Sequence, residues 1–212
     1  MLLGISTSAI AQVQPTDTDG DRYINISTLD HLLWVSENSI SWDKNFELDN
    51  NINAAATISW YGKAGFSPIG NISTPYSGKF KGNGFIIDSI YTNRPKSDYM
   101  GLFGRTYEAE ISNVGIENCR LIGKDHVGGI VGLNYSSVVI NSYITGKVSG
   151  NTNVGGLVGK NYYSSVSNCY STGSVTGIDS VGGIAGVNRV SSLSNCYISG
   201  VVTGSKNVGV LV

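Results

Sequence analysis

The amino-acid sequence predicts an all-β fold, a parallel β-helix of about 27 residues per coil with a capping helix near its N-terminus. Three observations predict it. Val127-Gly128-Gly129-Ile130-Val131-Gly132-Leu133-Asn134 returns 27 residues later as Val154-Gly155-Gly156-Leu157-Val158-Gly159-Lys160-Asn161, then as Val181-Gly182-Gly183-Ile184-Ala185-Gly186-Val187-Asn188, and starts again at Val208-Gly209. Asn141-Ser142-Tyr143, Asn168-Cys169-Tyr170 and Asn195-Cys196-Tyr197 keep the same step. Each coil also reads as three short β segments, near 129–132, 138–144 and 147–148 in the second coil, with turns at 134–136, 145–146 and 150–153. A propeller would need four strands and about 40 residues per blade, and a leucine-rich repeat would need its leucine comb.

Residues 1–11 read as part of a signal peptide, because Ala9-Ile10-Ala11 has the small-x-small form of a cleavage site. No run approaches the roughly 20 apolar residues of a membrane span. Residues 12–26 read as a polar linker. Within it Asp17-Thr18-Asp19-Gly20-Asp21 resembles part of a calcium loop, but Pro15 and Ile26 stand where further ligands would be needed, so a turn is expected and no metal.

Residues 27–98 read as an N-terminal cap and first irregular coils. A helix is expected over 27–38, with Ser27 as N-cap, Asp30 as a loose capping box, and a stripe of Leu29, Leu32, Leu33 and Ser36 widened by Trp34 and Val35. His31 reads as a helix residue and not a ligand. The regular array is expected over 99–212 and to stop mid-repeat. It opens at Tyr99-Met100-Gly101-Leu102-Phe103-Gly104, and its first step is 28 residues, from Asn113 to Asn141. At about 4.8 Å per coil it would stand on the order of 20 Å tall.

Columns of equivalent residues follow from the stacking. Val127/Val154/Val181/Val208 and Ile130/Leu157/Ile184/Leu211 are expected to fill the interior. Two asparagine columns, Asn134/Asn161/Asn188 and Asn113/Asn141/Asn168/Asn195, are expected to form amide ladders. Gly132, Gly159 and Gly186 belong to the same structural set. Gly146/Gly173/Gly200 and Gly150/Gly177/Gly204 are expected to supply corners with positive φ, so that Gly173→Val would cost at least about 1 kcal/mol. The hydroxyl columns Ser137/Ser164/Ser191 and Ser149/Thr176/Thr203 are expected to face outward. Tyr143/Tyr170/Tyr197 could stack inside or form an outward strip that binds a ligand. Cys169 and Cys196 sit one repeat apart, where Ser142 precedes them; they read as small buried residues in a column, although a disulfide is geometrically conceivable.

The formal charge of −1 leaves no footprint for nucleic acid. Of 15 acidic residues only Asp179 lies beyond position 126. Glycosidic chemistry needs paired carboxylates, and the only set available is Asp88, Asp98, Glu108, Glu110, Glu117 and Asp125, which carries no supporting motif. His31 and His126 are the only histidines, and no HExxH occurs.

Gly101-Leu102-Phe103-Gly104, Gly129-Ile130-Val131-Gly132, Gly156-Leu157-Val158-Gly159 and Gly183-Ile184-Ala185-Gly186, each followed by an Asn-x-Tyr block or its equivalent, resemble the GLUG motif of bacterial secreted and cell-surface proteins. The resemblance covers about residues 99–212. It implies a right-handed β-helix, a bacterial surface or secreted location, and a role in adhesion or display. It also implies occurrence beside immunoglobulin A peptidases, without supplying a protease site here. A non-catalytic, cofactor-free module is therefore expected, offering its Tyr, Ser, Thr and Asn columns to a glycan or a surface protein. The alternatives are a carbohydrate-active β-helix enzyme and a stalk of a larger surface protein. The apolar strand from Val208 to Val212 is expected to favour end-to-end association.

Overall fold

A computed structural model describes Ile10 and residues 12–212. The segment read as a signal peptide lies outside the described residues, apart from Ile10. The chain winds as a parallel β-solenoid. Val127 pairs with Val154, Val154 with Val181 and Val181 with Val208, so the step of 27 seen in the sequence is the step between neighbouring strands.

Four parallel sheets wrap the core, where three segments per coil were expected. Sheet I contains Ile24–Ile26, Phe46–Leu48, Lys79–Lys81, Glu110–Ser112, Val138–Ile140, Ser165–Ser167 and Ser192–Ser194. Sheet II is built on Ile52–Asn53, Ile86–Asp88, Gly115–Ile122, Tyr143–Ser149, Tyr170–Ser171 and Tyr197–Ile198, with Tyr91–Asn93, Ser174–Thr176 and Val201–Thr203 beside them. Sheet III contains Phe103–Tyr107, Val131–Tyr135, Val158–Tyr162 and Ala185–Arg189. Sheet IV contains Asp125–Val127, Thr152–Gly155, Asp179–Gly182 and Lys206–Gly209. The expected segment over 138–144 is thus two strands parted by a corner at Asn141. The expected turn over 150–153 already enters sheet IV at Thr152.

Inward residues alternate with outward ones, as a strand's period of two requires. Val127, Val154 and Val181 are fully buried, as are Ile130, Leu157 and Ile184. Phe46, Phe66, Tyr76, Phe80 and Phe103 fill the wider first coils. The helix is Leu29–Glu37, and its N-cap is Thr28, not Ser27. Thr28 Oγ1 accepts from His31 N at 3.2 Å, whereas Ser27 Oγ donates to Asp49 Oδ2 at 3.0 Å. Leu32, Leu33 and Val35 are buried beside Ile24–Ile26, the end strand of sheet I, so the helix covers that edge. The polar linker is correspondingly shorter than expected, since Ile24–Ile26 already pairs with Phe46–Leu48. No described helix is long and apolar enough to cross a membrane.

The corners are a second departure from the expectation. Glycine was expected to supply positive φ, yet three non-glycine columns do so. Asn113, Asn141, Asn168 and Asn195 have φ of 55, 51, 54 and 51°. Tyr99, His126, Asn153, Ser180 and Asn207 have φ of 61, 56, 56, 55 and 48°. Glu108, Ser136, Tyr163 and Val190 have φ of 54, 49, 51 and 50°. Asparagine tolerates this region because its short amide bonds locally. Valine does not, because its branched Cβ meets the carbonyl. Val190 is also 66% exposed, so packing returns little. Val190→Asn should stabilise the chain by about 1 kcal/mol, seen as a higher urea midpoint.

Among the glycines of the two expected corner columns, only Gly146 has positive φ, at 118°. Gly173 and Gly200 lack it. A Cβ at Gly173 would lie inside the contact radius of Gly146 O, and one at Gly200 inside that of Gly173 O. These glycines let successive backbones touch. Gly150, Gly177 and Gly204 instead make room for the valine column, since a Cβ there would meet Val127 Cγ2 at 2.7 Å, Val181 Cγ2 at 2.8 Å and Val181 Cγ2 at 2.8 Å. At Gly132 and Gly159 a Cβ would come within 2.7 Å of Gly104 O and 2.6 Å of Gly132 O. Gly186 is closed by Val154 N in the same way.

Candidate functional site

Polar columns divide into those that hold coils together and those that face solvent. Asn134 and Asn161 are fully buried. Asn134 Nδ2 donates to Asn161 Oδ1 at 2.9 Å, and Asn161 Nδ2 donates to Asn188 Oδ1 at 2.8 Å. Thr106 Oγ1 donates to Asn134 Oδ1 at 2.8 Å, which starts the ladder. The second ladder is exposed. Asn168 Nδ2 donates to Asn141 Oδ1 at 3.1 Å, and Asn195 Nδ2 to Asn168 Oδ1 at 3.1 Å. Its donors point toward the first coil, whereas those of the buried ladder point toward the last. Asn113 shares the corner but joins through its backbone, donating to Ile140 O at 3.1 Å.

The Ser137/Ser164/Ser191 column faces inward, against the expectation. Ala109 N donates to Ser137 Oγ, Ser137 N to Ser164 Oγ and Ser164 N to Ser191 Oγ, each at 3.0 Å. These hydroxyls occupy backbone donors that the corner removes from the sheets. Ser142 does the same for Val114 N at 3.1 Å, and Cys169 Sγ replaces that hydroxyl for Ser142 N at 3.4 Å. Both Cys169 and Cys196 are free thiols. Cys119, buried elsewhere, has its thiol pushed up to about 12 by burial.

Tyr143, Tyr170 and Tyr197 stand on the outer side of sheet II. Their rings stack at 4.8 and 5.1 Å with interplanar angles of 5 and 10°. Tyr143 leans over Gly115, where a Cβ would lie 2.7 Å from its ring. Its hydroxyl donates to Glu117 Oε1 at 2.7 Å. Burial, and then that carboxylate, push the Tyr143 phenol up to about 12. The stack therefore offers ring edges and hydroxyls, because the faces between its members are covered by one another.

A second aromatic group, absent from the sequence reading, lies on sheet III. Tyr107 and Tyr135 stack at 5.6 Å, whereas Tyr162 is tilted by 59° to Tyr135, and Tyr163 by 42° to Tyr162. Arg105 Cζ lies 5.9 Å from the Tyr135 ring, and Lys160 Nζ and Arg189 Cζ each lie 5.5 Å from the Tyr162 ring. The signal was available: Tyr107, Tyr135 and Tyr162 are one repeat apart, but Arg189 breaks the run of tyrosines in the next coil.

The six carboxylates near the start of the array do not gather on one face. Asp98 and Asp125 flank Lys124 at 3.6 and 3.2 Å, and Glu110 meets Lys79 at 3.0 Å. Glu108 bonds Tyr107 and raises its phenol pKa. Asp88 and Glu117 are register neighbours on sheet II, but Asn118 Nδ2 donates to Asp88 Oδ1 at 2.8 Å and Tyr143 holds Glu117. Asp17, Asp19 and Asp21 do bring carboxylate oxygens within 4.8 Å of one another, in an exposed loop. Asp17 already accepts from Gly20 N at 2.7 Å and Arg22 N at 3.0 Å, and the Gly20 bond leads in lowering its pKa.

His31 accepts from Ser27 N at 3.2 Å through Nδ1, a role local to the helix start. His126 occupies a corner, stacks on Tyr99 at 5.1 Å and lies 3.1 Å from Asn153 Nδ2 through Nδ1. Burial, and then the Lys160 charge, lower its pKa. A base with a lowered folded pKa binds fewer protons than the unfolded chain does. Its contribution is complete above about pH 6.5 and is lost as pH falls through the folded value. Thermal melts should therefore show lower stability at pH 5 than at pH 7.5, and His126→Asn should reduce that difference.

Residues 125–149 and 150–176 each match the GLUG motif. Over 137 residues the chain is 34% identical to halomucin of Haloquadratum walsbyi, an alignment that takes in 63% of this chain. The chain spans only 2% of the length of that relative. The fold is similar to that of a Bacteroides ovatus protein described as a candidate immunoglobulin A1 protease, with a TM-score of 0.70 over 87% of this chain and 59% of that one. At 22% identity this likeness is one of fold alone. The 27-residue step, the in-register columns and the twice-matched signature show that this chain carries GLUG-motif repeats, matched over residues 125–176.

Proposed function

We propose that the chain is a non-catalytic adhesion or display module of a secreted or cell-surface protein. The observation that carries this reading is the register: each outward position returns at strand spacing, and on sheet II the same tyrosine returns three times, so one chemical group is offered repeatedly along the axis. Repetition suits multivalent contact, in which many weak bonds add. The similarity to halomucin supports a surface location. Glycosidic chemistry needs two carboxyl groups free to act across one bond, and the adjacent pairs here are already engaged, Asp88 and Glu117 by Asn118 and Tyr143 and Asp98 and Asp125 by Lys124, which speaks against it. The partner would be a glycan or a surface protein, met along the hydroxyls and ring edges of Tyr143, Tyr170 and Tyr197. A stalk role differs in needing no ligand.

Protease treatment of intact source cells tests the location. The expected result is release of fragments of this chain while cytosolic proteins stay whole. Recovery of the chain solely from the cytosol would overturn the reading.

A further inference from the structure

The outward face of sheet III differs in charge and ring geometry from the tyrosine stack on sheet II. Its outward residues form two columns, Arg105/Leu133/Lys160/Val187 and Tyr107/Tyr135/Tyr162/Arg189. Tyr163 stands at the adjoining corner. Three cations thus sit among four tyrosines, and the one carboxylate in these columns and their corner is Glu108. Tyr107 and Tyr163 are 38% and 51% exposed. Tyr162 is tilted by 59° to Tyr135 and by 42° to Tyr163, whose centroid lies 4.3 Å away, so Tyr162 is flanked on both sides and the half-exposed Tyr163 carries the open ring face.

Arg105 is held in place by the backbone, and Lys160 and Arg189 lie against a ring. Arg105 Nη1 donates to Ile72 O at 2.8 Å while its guanidinium lies by Tyr135. Lys160 and Arg189 approach Tyr162 from its own coil and from the next. An anchored guanidinium such as that of Arg105 loses little freedom when a ligand arrives. Arg105, Lys160 and Arg189 also belong to the first, third and fourth strands of the sheet, so the positive charge runs along the solenoid axis.

We propose that this face binds a linear acidic polysaccharide, one that carries uronate carboxylates, lying along the axis. The apolar face of a sugar ring would rest on Tyr163, which is 51% exposed, and the carboxylates of the polymer would meet Lys160, Arg189 and Arg105. Guanidinium groups favour such planar anions, which they can engage through paired N–H donors. Three cations are too few for a nucleic acid, whose affinity comes from neutralising many phosphates at once. The inference rests on the surface-display reading, which places the chain where such polymers occur.

Affinity electrophoresis of the full chain, in gels cast with polygalacturonate or with neutral dextran, tests it. Retardation is expected in polygalacturonate alone and should fade with added salt. The double variant Lys160→Gln/Arg189→Gln should weaken it about 10-fold or more, and Tyr163→Ala should weaken it too. Lys147→Gln, on sheet II, should leave it unchanged, and circular dichroism should show all variants folded. Retardation by neither polymer, equal retardation by both, an unchanged double variant, or tighter binding of single-stranded DNA would each overturn the inference. The display reading fails separately, on the protease treatment of intact cells.

Discussion

Gly173→Ala should lower the stability of the solenoid by about 2 kcal/mol or more, and Gly173→Asn should do no better. The pair of variants separates two causes. Were Gly173 needed for a left-handed corner, asparagine would restore much of the loss, as it does at Asn141 and Asn168. Gly173 does not have positive φ, however. Its missing side chain admits the carbonyl of Gly146, and Gly200 sits on Gly173 in turn. Any Cβ must push one coil off the next and stretch the hydrogen bonds on both sides, such as Thr172 N to Ile144 O at 3.0 Å. The measurement is a urea titration followed by circular dichroism. Full rescue by asparagine would show that the corner, and not the contact, demands glycine.

Asn161→Ala should cost about 3 kcal/mol, because it leaves the Asn134 amide only its long bond to Ser137 O at 3.5 Å and the Asn188 oxygen without its donor. Asn134 is fully buried, so water cannot replace the lost partner. The exposed ladder provides the contrast. Its members can exchange an amide partner for water, so breaking the bond from Asn168 to Asn141 by itself should cost far less. Melting curves of Asn161→Ala and Asn161→Asp would check the burial. Aspartate should be the worse of the two at neutral pH, since it brings an unpaired charge into the core. Equal tolerance of all three residues would mean that the buried ladder carries no stability.

A repeat reveals which residues are equivalent long before it reveals which way they face. Val127, Val154 and Val181 were legible as a core column because only an interior explains their apolar constancy. The two asparagine ladders were legible because an amide can satisfy an identical amide. Ser137 and Ser164 were not, since a hydroxyl serves solvent and a buried backbone donor equally well, and only the fold shows the donors of Ala109 and Ser137 beneath them. The corners were misassigned for a related reason. Glycine is the residue most at ease with positive φ, but Tyr163, Ser180 and Val190 are held there by the winding of neighbouring coils. The strand Ile24–Ile26 was missed because its partner, Phe46–Leu48, belongs to the irregular coils that lack the 27-residue signature. The sheet III tyrosines escaped notice once Arg189 interrupted their period, although that interruption supplies one of the cations the face depends on.

The opposed directions of the two amide ladders bear on how long such a protein can grow. In an α-helix every peptide unit points the same way, and the two termini acquire opposite partial charges. Here the amides that run from Asn134 to Asn188 are offset by those that run back from Asn195 to Asn141. Each further turn would add a pair of antiparallel dipoles that largely cancel. Elongation therefore need not charge the two ends of the rod, and its reach can be set by the number of turns with no electrostatic brake from this source.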